Sequence, residues 1–208
     1  MTIDTSIVYV VDDDISVRES LELLIRFEGW HVETFGSARA FLAHSLADVP
    51  SCLVLDVSLP DLNGLDLQKL LLSDRVDLPI IFITGYGDVP MSVRAMKAGA
   101  VEFLTKPVLD TVLCDAVRHA LERSAAALAD NAELRSLRER AASLSDRERE
   151  VMALIVNGLP NKTVAIELGI SEITVKAHRG KAMRKMRADS FAELVHMANR
   201  LGVIAPKV

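Results

Sequence analysis

The sequence predicts two domains of different class. The first is an α/β domain on a doubly wound, five-stranded parallel sheet. The second is an all-α four-helix domain containing a helix-turn-helix. Three observations predict this. Short apolar runs alternate with helix-patterned segments up to residue 121, as in a parallel sheet covered on both faces. Residues 144–208 carry only helix patterns, bounded by capping signals and glycines. Charge divides along the same line: residues 1–121 hold nine Lys/Arg against eighteen Asp/Glu, and residues 144–208 hold eleven against seven.

Each element has a local reason. Ile7–Val11 is an apolar run of strand length, followed by a helix from about Ser16 to Glu28 with Val17, Leu21, Leu24 and Ile25 at helical spacing and Gly29 as its stop. His31–Phe35 alternates like a strand, and Ser37 caps a short helix through Leu46. Ser51–Leu55 is the third strand, and Gly64–Leu72 the helix after it. Pro79–Ile83 is the fourth strand, with Pro90 in the first turn of a helix reaching Ala98. Val101–Leu104 is the fifth, and a further helix begins near Leu109. Fold rules give these strands the order 2-1-3-4-5, with ligands bound beyond the carboxyl ends of neighbouring strands one and three.

Residues 122–143 carry four charges of each sign and neither Gly nor Pro. They read as a helical linker, or as a dimerising helix through Leu121, Leu128, Leu134 and Leu137. Beyond it, Ser145-x-x-Glu148 starts one helix, which Asn157-Gly158 ends. Asn161 caps a short helix to Leu168, and Gly169 stops it. Ser171 caps a longer one to about Arg187. Ser190-x-x-Glu193 starts the last, which Gly202 ends. The expected domains are residues 1–121, the linker 122–143, and residues 144–208.

Half the residues are apolar, enough for ordinary cores, yet no run approaches the ~20 apolar residues of a membrane span. The N-terminus shows no basic segment followed by a long apolar stretch, so a cytoplasmic protein is expected. Cys52 and Cys114 sit in apolar contexts without metal-ligand spacing and read as buried reduced thiols.

Chemistry gathers at the strand ends. Asp12-Asp13-Asp14 closes the first run, Asp56 the third, Thr84 the fourth, and Lys106-Pro107 follows the fifth. Magnesium takes oxygen ligands, often one or two carboxylates with waters and phosphate oxygens, which Asp13 and Asp56 can supply. A carboxylate that accepts a phosphoryl group becomes an acyl phosphate. That transfer needs nearby positive charge, which suits Lys106, while the Thr84 hydroxyl suits a phosphoryl oxygen. Taken singly, a strand-end carboxylate is commonly a helix cap, and Asp14 reads as one.

Several motifs then point the same way: Val11-Asp12-Asp13, Val54-Leu55-Asp56, Phe82-Ile83-Thr84-Gly85, Phe103-Leu104-Thr105-Lys106-Pro107, Asp56-x-x-x-Pro60-x-x-x-Gly64 and Met96-Lys97-Ala98-Gly99-Ala100. With them, residues 7–121 resemble the receiver domain of bacterial two-component response regulators. The resemblance implies that Asp56 accepts phosphate from a sensor histidine kinase. It implies that Asp12, Asp13, Asp56 and the Ser58 backbone carbonyl hold Mg2+, that Lys106 contacts the phosphoryl group, and that Thr84 and Phe103 form a switch pair. Phosphorylation would promote a homodimer through the 90–121 surface, and the protein would not be a turnover enzyme. An aromatic is common in that family where Val108 stands. A second resemblance, to haloacid-dehalogenase-type phosphatases, would make Asp12 the nucleophile and Asp14 the acid/base. Here, however, Ile15-Ser16 follows where that family has Gly-Thr or a similar pair.

On a helical wheel of residues 172–187, Val175, His178, Ala182 and Met186 share one side. Ile173, Lys176, Ala177, Gly180, Lys181 and Arg184 share the other, which suits a major groove. Leu144-Ser-Asp-Arg-Glu-Arg-Glu-Val, Gly158-Leu-Pro-Asn-Lys-Thr-Val-Ala and Leu168-Gly-Ile-Ser-Glu-Ile-Thr-Val-Lys-Ala-His-Arg179 resemble the LuxR/FixJ-type output domain. The whole chain therefore resembles a FixJ/NarL-type regulator, and Thr84-Gly-Tyr-Gly-Asp-Val-Pro-Met leans to the FixJ branch. The resemblance implies promoter DNA and RNA polymerase as partners, with the regulator acting as an activator. It places Lys176, Ala177 and Gly180 toward base edges, and makes Asn161, Lys162, Arg179, Lys181 and Lys185 candidate phosphate contacts. His178 reads as a packed or backbone-bonded residue. A protein-docking role for the basic helices, without specific DNA binding, is the alternative.

Overall fold

Five strands form one parallel sheet: β1 (Ile7–Val11), β2 (His31–Phe35), β3 (Ser51–Asp56), β4 (Ile80–Thr84) and β5 (Glu102–Thr105). Their order is β2-β1-β3-β4-β5, as the fold rules require. This computed structural model describes residues 6–74 and 78–203. The chain divides into two compact units, Met1–Ala129 and Asp130–Val208.

The sheet is covered on both faces by α1 (Ile15–Phe27), α2 (Ala38–Leu42), α3 (Gly64–Asp74), α4 (Val89–Lys97) and the start of α5 (Asp110–Ala142). Central β3 is buried at every residue, whereas the edge strands β2 and β5 are not. Side chains alternate between two cores. Tyr9, Leu53, Leu55 and Phe82 pack with Phe41 and Leu67 on one face. Val8, Val10, Cys52, Val54 and Ile81 pack with Ile25, Leu113 and Val117 on the other. Cys52 and Cys114 are both buried free thiols.

Capping explains the helix starts. Asp14 accepts from Ser16 N, Ser37 from Ala40 N, and Asp88 from Met91 N. Asp61, 23 residues from Ala38 in sequence, also accepts from Ala38 N and Arg39 N at the start of α2. α2 is shorter than expected, ending at Leu42 instead of Leu46.

The second unit contains α6 (Asp146–Val156), α7 (Asn161–Leu168), α8 (Glu172–Met186) and α9 (Phe191–Arg200). Val151, Met152, Ile155, Val164, Val175, Met186 and Leu194 form its core. Ser145 and Glu148 make the full reciprocal capping box. Two expected caps differ. Asn161 is the first helical residue rather than the cap, a position taken by Pro160, whose extended backbone (φ −61°, ψ 148°) leads into α7. Ser190 does cap α9, but Glu193 reaches back one residue further, accepting from Asp189 N at 2.8 Å.

α5 is one unbroken helix of 33 residues and includes residues 122–142. Leu121 and Leu137 belong to different cores. Leu121 packs beneath the sheet with Val117, and Ser124 Oγ accepts from Ser51 N in the first unit. Leu137 lies in the core of the second unit, where Arg140 donates to the Met186 carbonyl.

Candidate functional site

The register of the sheet builds the acidic site. Val11 pairs with Leu55, so the next residues on β1 and β3 are Asp12 and Asp56. Both lie at the carboxyl edge where strand order reverses, and both are buried. Their oxygens and that of exposed Asp13 all lie within 4.8 Å of one another. Three carboxylates so placed form an all-oxygen ligand set of the kind magnesium takes.

Lys106 closes the constellation. Its ammonium donates to Asp12 Oδ2 at 2.6 Å and to Asp56 Oδ2 at 2.7 Å, from a side chain that is largely buried. β5 lies beside β4, and Lys106 N donates to the Thr84 carbonyl at 2.8 Å, which aims the lysine across the strand ends. The Lys106-Pro107 peptide is cis. Burial pushes the Asp12 carboxyl above its ordinary range, more than the bond from Lys106 lowers it. Burial works against the Lys106 charge, but the hydrogen bonds to Asp12 and Asp56 outweigh it and lift the ammonium pKa.

The backbone holds the remaining oxygens. Ser58 N donates to Asp56 Oδ1 at 2.9 Å, and Asp14 N to Asp12 Oδ1 at 2.9 Å. Thr84 is fully buried, and its hydroxyl accepts from Tyr86 N at 3.3 Å. Phe103 is half-buried against Phe82, ring centroids 6.1 Å apart. Gly87 lies against Phe103, Thr105 and Thr84; a Cβ there would come within 3.0 Å of the Phe103 ring.

Two contributors were not read from sequence. Arg18 donates to the Asp12 carbonyl at 2.7 Å, four residues beyond the acidic triplet on α1. Gly64, quoted above only as part of a motif, has a packing reason: a Cβ would stand 2.5 Å from the Asp56 carbonyl. Asp14, by contrast, is committed to capping α1, which removes the acid/base residue of the phosphatase reading.

The second candidate surface is α7, the Gly169 turn (φ +65°) and α8. The wheel holds. Val175, Ala182 and Met186 are buried in the core, while Ile173, Lys176, Ala177, Lys181 and Arg184 are exposed and Gly180 half-exposed. Lys162 on α7 is also exposed, and Asn161 half-buried. Lys176 pairs with Glu172 one turn earlier at 3.1 Å. Arg179 stacks 4.5 Å over the Phe191 ring, a cation–π contact. Lys185 donates to Glu148 Oε2 at 2.6 Å and to the Ser143 carbonyl at 2.9 Å. The bond from Lys185 and, after it, the one from the Ser145 backbone N–H hold the Glu148 carboxyl down to about 2. His178 Nδ1 is buried and finds no partner among the described residues.

Comparison with known proteins finds one family match along each half of the chain. Residues 8–118 match the response regulator receiver domain, and residues 142–198 match the bacterial regulatory proteins of the luxR family. The chain is 52% identical over 200 residues to nodulation protein W of Bradyrhizobium diazoefficiens, covering 96% of this chain and 88% of that protein. It is 45% identical over 191 residues to transcriptional regulatory protein FixJ of Rhizobium meliloti, covering 92% and 94%. The solved structure of response regulator StyR superposes with a TM-score of 0.82 at 45% identity, covering 94% of this chain and 98% of that one.

Proposed function

The chain belongs to the two-component response regulators with a LuxR-type DNA-binding domain, non-enzymatic regulators of transcription, and from that membership we propose that phosphorylation of Asp56 gates its binding to promoters. The observation that carries the reading is the Lys106 ammonium bonded to both Asp12 and Asp56 at the reversal point of the sheet.

The incoming phosphoryl group comes from a phosphohistidine on the partner kinase. An Asp56 carboxylate oxygen forms the new P–O bond as the P–N bond breaks, leaving an acyl phosphate on Asp56 and a neutral histidine. Asp12, Asp13, Asp56 and the Ser58 carbonyl would hold Mg2+, which neutralises charge on the phosphoryl oxygens. Lys106 moves from the Asp56 carboxylate to a phosphoryl oxygen. The Thr84 hydroxyl exchanges its bond from Tyr86 N for another phosphoryl oxygen, and Phe103 follows into the space that Thr84 leaves.

That movement changes the surface of α4, β5 and the start of α5. Val89, Val93, Met96, Leu109 and Val112 are all exposed there, an apolar face suited to a second copy. Dimerisation then presents two α8 helices to paired half-sites. Ala177 and Lys176 face base edges, and Asn161, Lys162, Arg179, Lys181 and Lys185 contribute phosphate contacts. Promoter binding places the protein beside RNA polymerase as an activator.

The test compares wild type with Asp56→Asn, each treated with beryllofluoride and magnesium. Sedimentation should show a mass increase, and titration a gain in DNA affinity, in wild type alone. Equal behaviour of the two proteins would remove phosphorylation gating.

A further inference from the structure

The outward stripe of α8 has an unusual gradation. Ile173, Ala177 and Gly180 follow one another at helical spacing along one line. Ile173 is 80% exposed in the first turn, Ala177 is exposed, and Gly180 has no side chain. Neither the Ile173 nor the Ala177 side chain can donate or accept a hydrogen bond. Charges flank the stripe without entering it: Lys176 is drawn back to Glu172, and Lys181 and Arg184 lie further along.

Neither end of the stripe is explained from within the protein. A β-branched residue is a slightly weaker helix former, and Ile173 packs in no core of the second unit among the described residues. Glycine weakens a helix interior relative to alanine. Gly180 is not in the left-handed region, and a Cβ built on it meets nothing within 4 Å. Packing and backbone conformation therefore permit a side chain at 180. A requirement from outside the chain accounts for both features at once.

We propose that this stripe makes the half-site a thymine-reading surface: Ile173 and Ala177 contact thymine C5-methyl groups, and Gly180 lets the helix backbone approach the groove floor. The proposal rests on the DNA-binding reading above and deepens it by naming the base. In the major groove thymine alone among the four bases presents a methyl, and an apolar side chain discriminates it by contact. The N-terminal residues of a recognition helix contact base edges, and Ile173 stands among them. The decline from Ile to Ala to Gly then follows a helix inclined to the groove.

The experiment uses the full chain activated with beryllofluoride and magnesium. Duplexes enriched from a random pool are remade with each thymine replaced singly by deoxyuridine, which removes only the methyl. Wild type should bind roughly fourfold more weakly for each contacted thymine, the effect of losing one buried methyl-sized group. In Ile173→Ala one of those penalties should vanish while the others persist. Gly180→Ala should bind all enriched duplexes more weakly, with its thermal midpoint equal to wild type or higher. Uniform tolerance of deoxyuridine, or an identical penalty pattern in Ile173→Ala, would overturn the proposal while leaving DNA binding intact. Failure to enrich any duplex would remove the DNA-binding reading and this proposal with it.

Discussion

At the scale of single residues, each buried carboxylate among the described residues has a charged partner at hand. Asp12, Asp56 and Lys106 form one such set, and Glu148 with Lys185 another. The second set is structural. Glu148 serves the Ser145 capping box and the Lys185 ammonium at once, so its carboxyl sits at about 2 instead of the ordinary 4.5. A depressed carboxyl contributes stability that is complete above the unfolded value and is lost as pH falls toward the folded one. The thermal midpoint of the second unit, followed by circular dichroism, should therefore decline between about pH 4.5 and pH 2. In Glu148→Gln that acid-dependent decline should shrink, with a lower midpoint at neutral pH. The same acid profile in both proteins would assign the effect to other carboxylates. Lys185 is thus already engaged by Glu148 before any DNA arrives, which the sequence pattern alone could not show.

At the scale of elements, the placement of α3 matters most to the site. Gly64 begins that helix directly behind Asp56, and a Cβ would overlap the Asp56 carbonyl at 2.5 Å and crowd Val57 Cα at 3.0 Å. Both neighbours are backbone, so neither can turn aside. Gly64→Ala should cost about 1–3 kcal/mol, the usual range for overpacking, read from chemical denaturation. It should also slow Asp56 phosphorylation by a small-molecule phosphoryl donor, because the end of β3 must shift. Unchanged stability together with an unchanged rate would show that α3 moves freely against β3. Gln68 on the same helix donates to the carbonyls of Ala95 and Ala98, tying α3 to the C-terminal end of α4. These contacts join α3, packed behind Asp56, to the helix whose face is proposed for dimerisation.

At the scale of the whole molecule, charge and chain connectivity assign the roles. The acidic half carries the metal-type oxygen cluster and the basic half the α8 surface. With about four phosphate contacts per subunit, a bound dimer should show a slope near −7 in log affinity against log salt concentration. Affinity nearly independent of salt would contradict the proposed phosphate contacts. α5 runs from one unit into the other, and Leu137 and Arg140 from its last turns belong to the second unit's packing.

Much of this was legible in the sequence by itself. Strand-length apolar runs, caps such as Asp14, Ser37 and Ser145, and the two faces of α8 are local patterns, and each reappears in the structure. The strand order followed from general rules of connection, and with it the meeting of Asp12 and Asp56. Only the tertiary structure decided what depends on long-range packing. It brought Arg18 to the Asp12 carbonyl, set Gly64 against the Asp56 carbonyl, and added Asp61 at the start of α2. It also gave Lys185 to Glu148 and placed Leu121 and Leu137 of α5 in different cores. The physical reason is the same throughout. Capping and periodicity act within a few residues, whereas a buried polar atom takes whichever partner folding delivers to it.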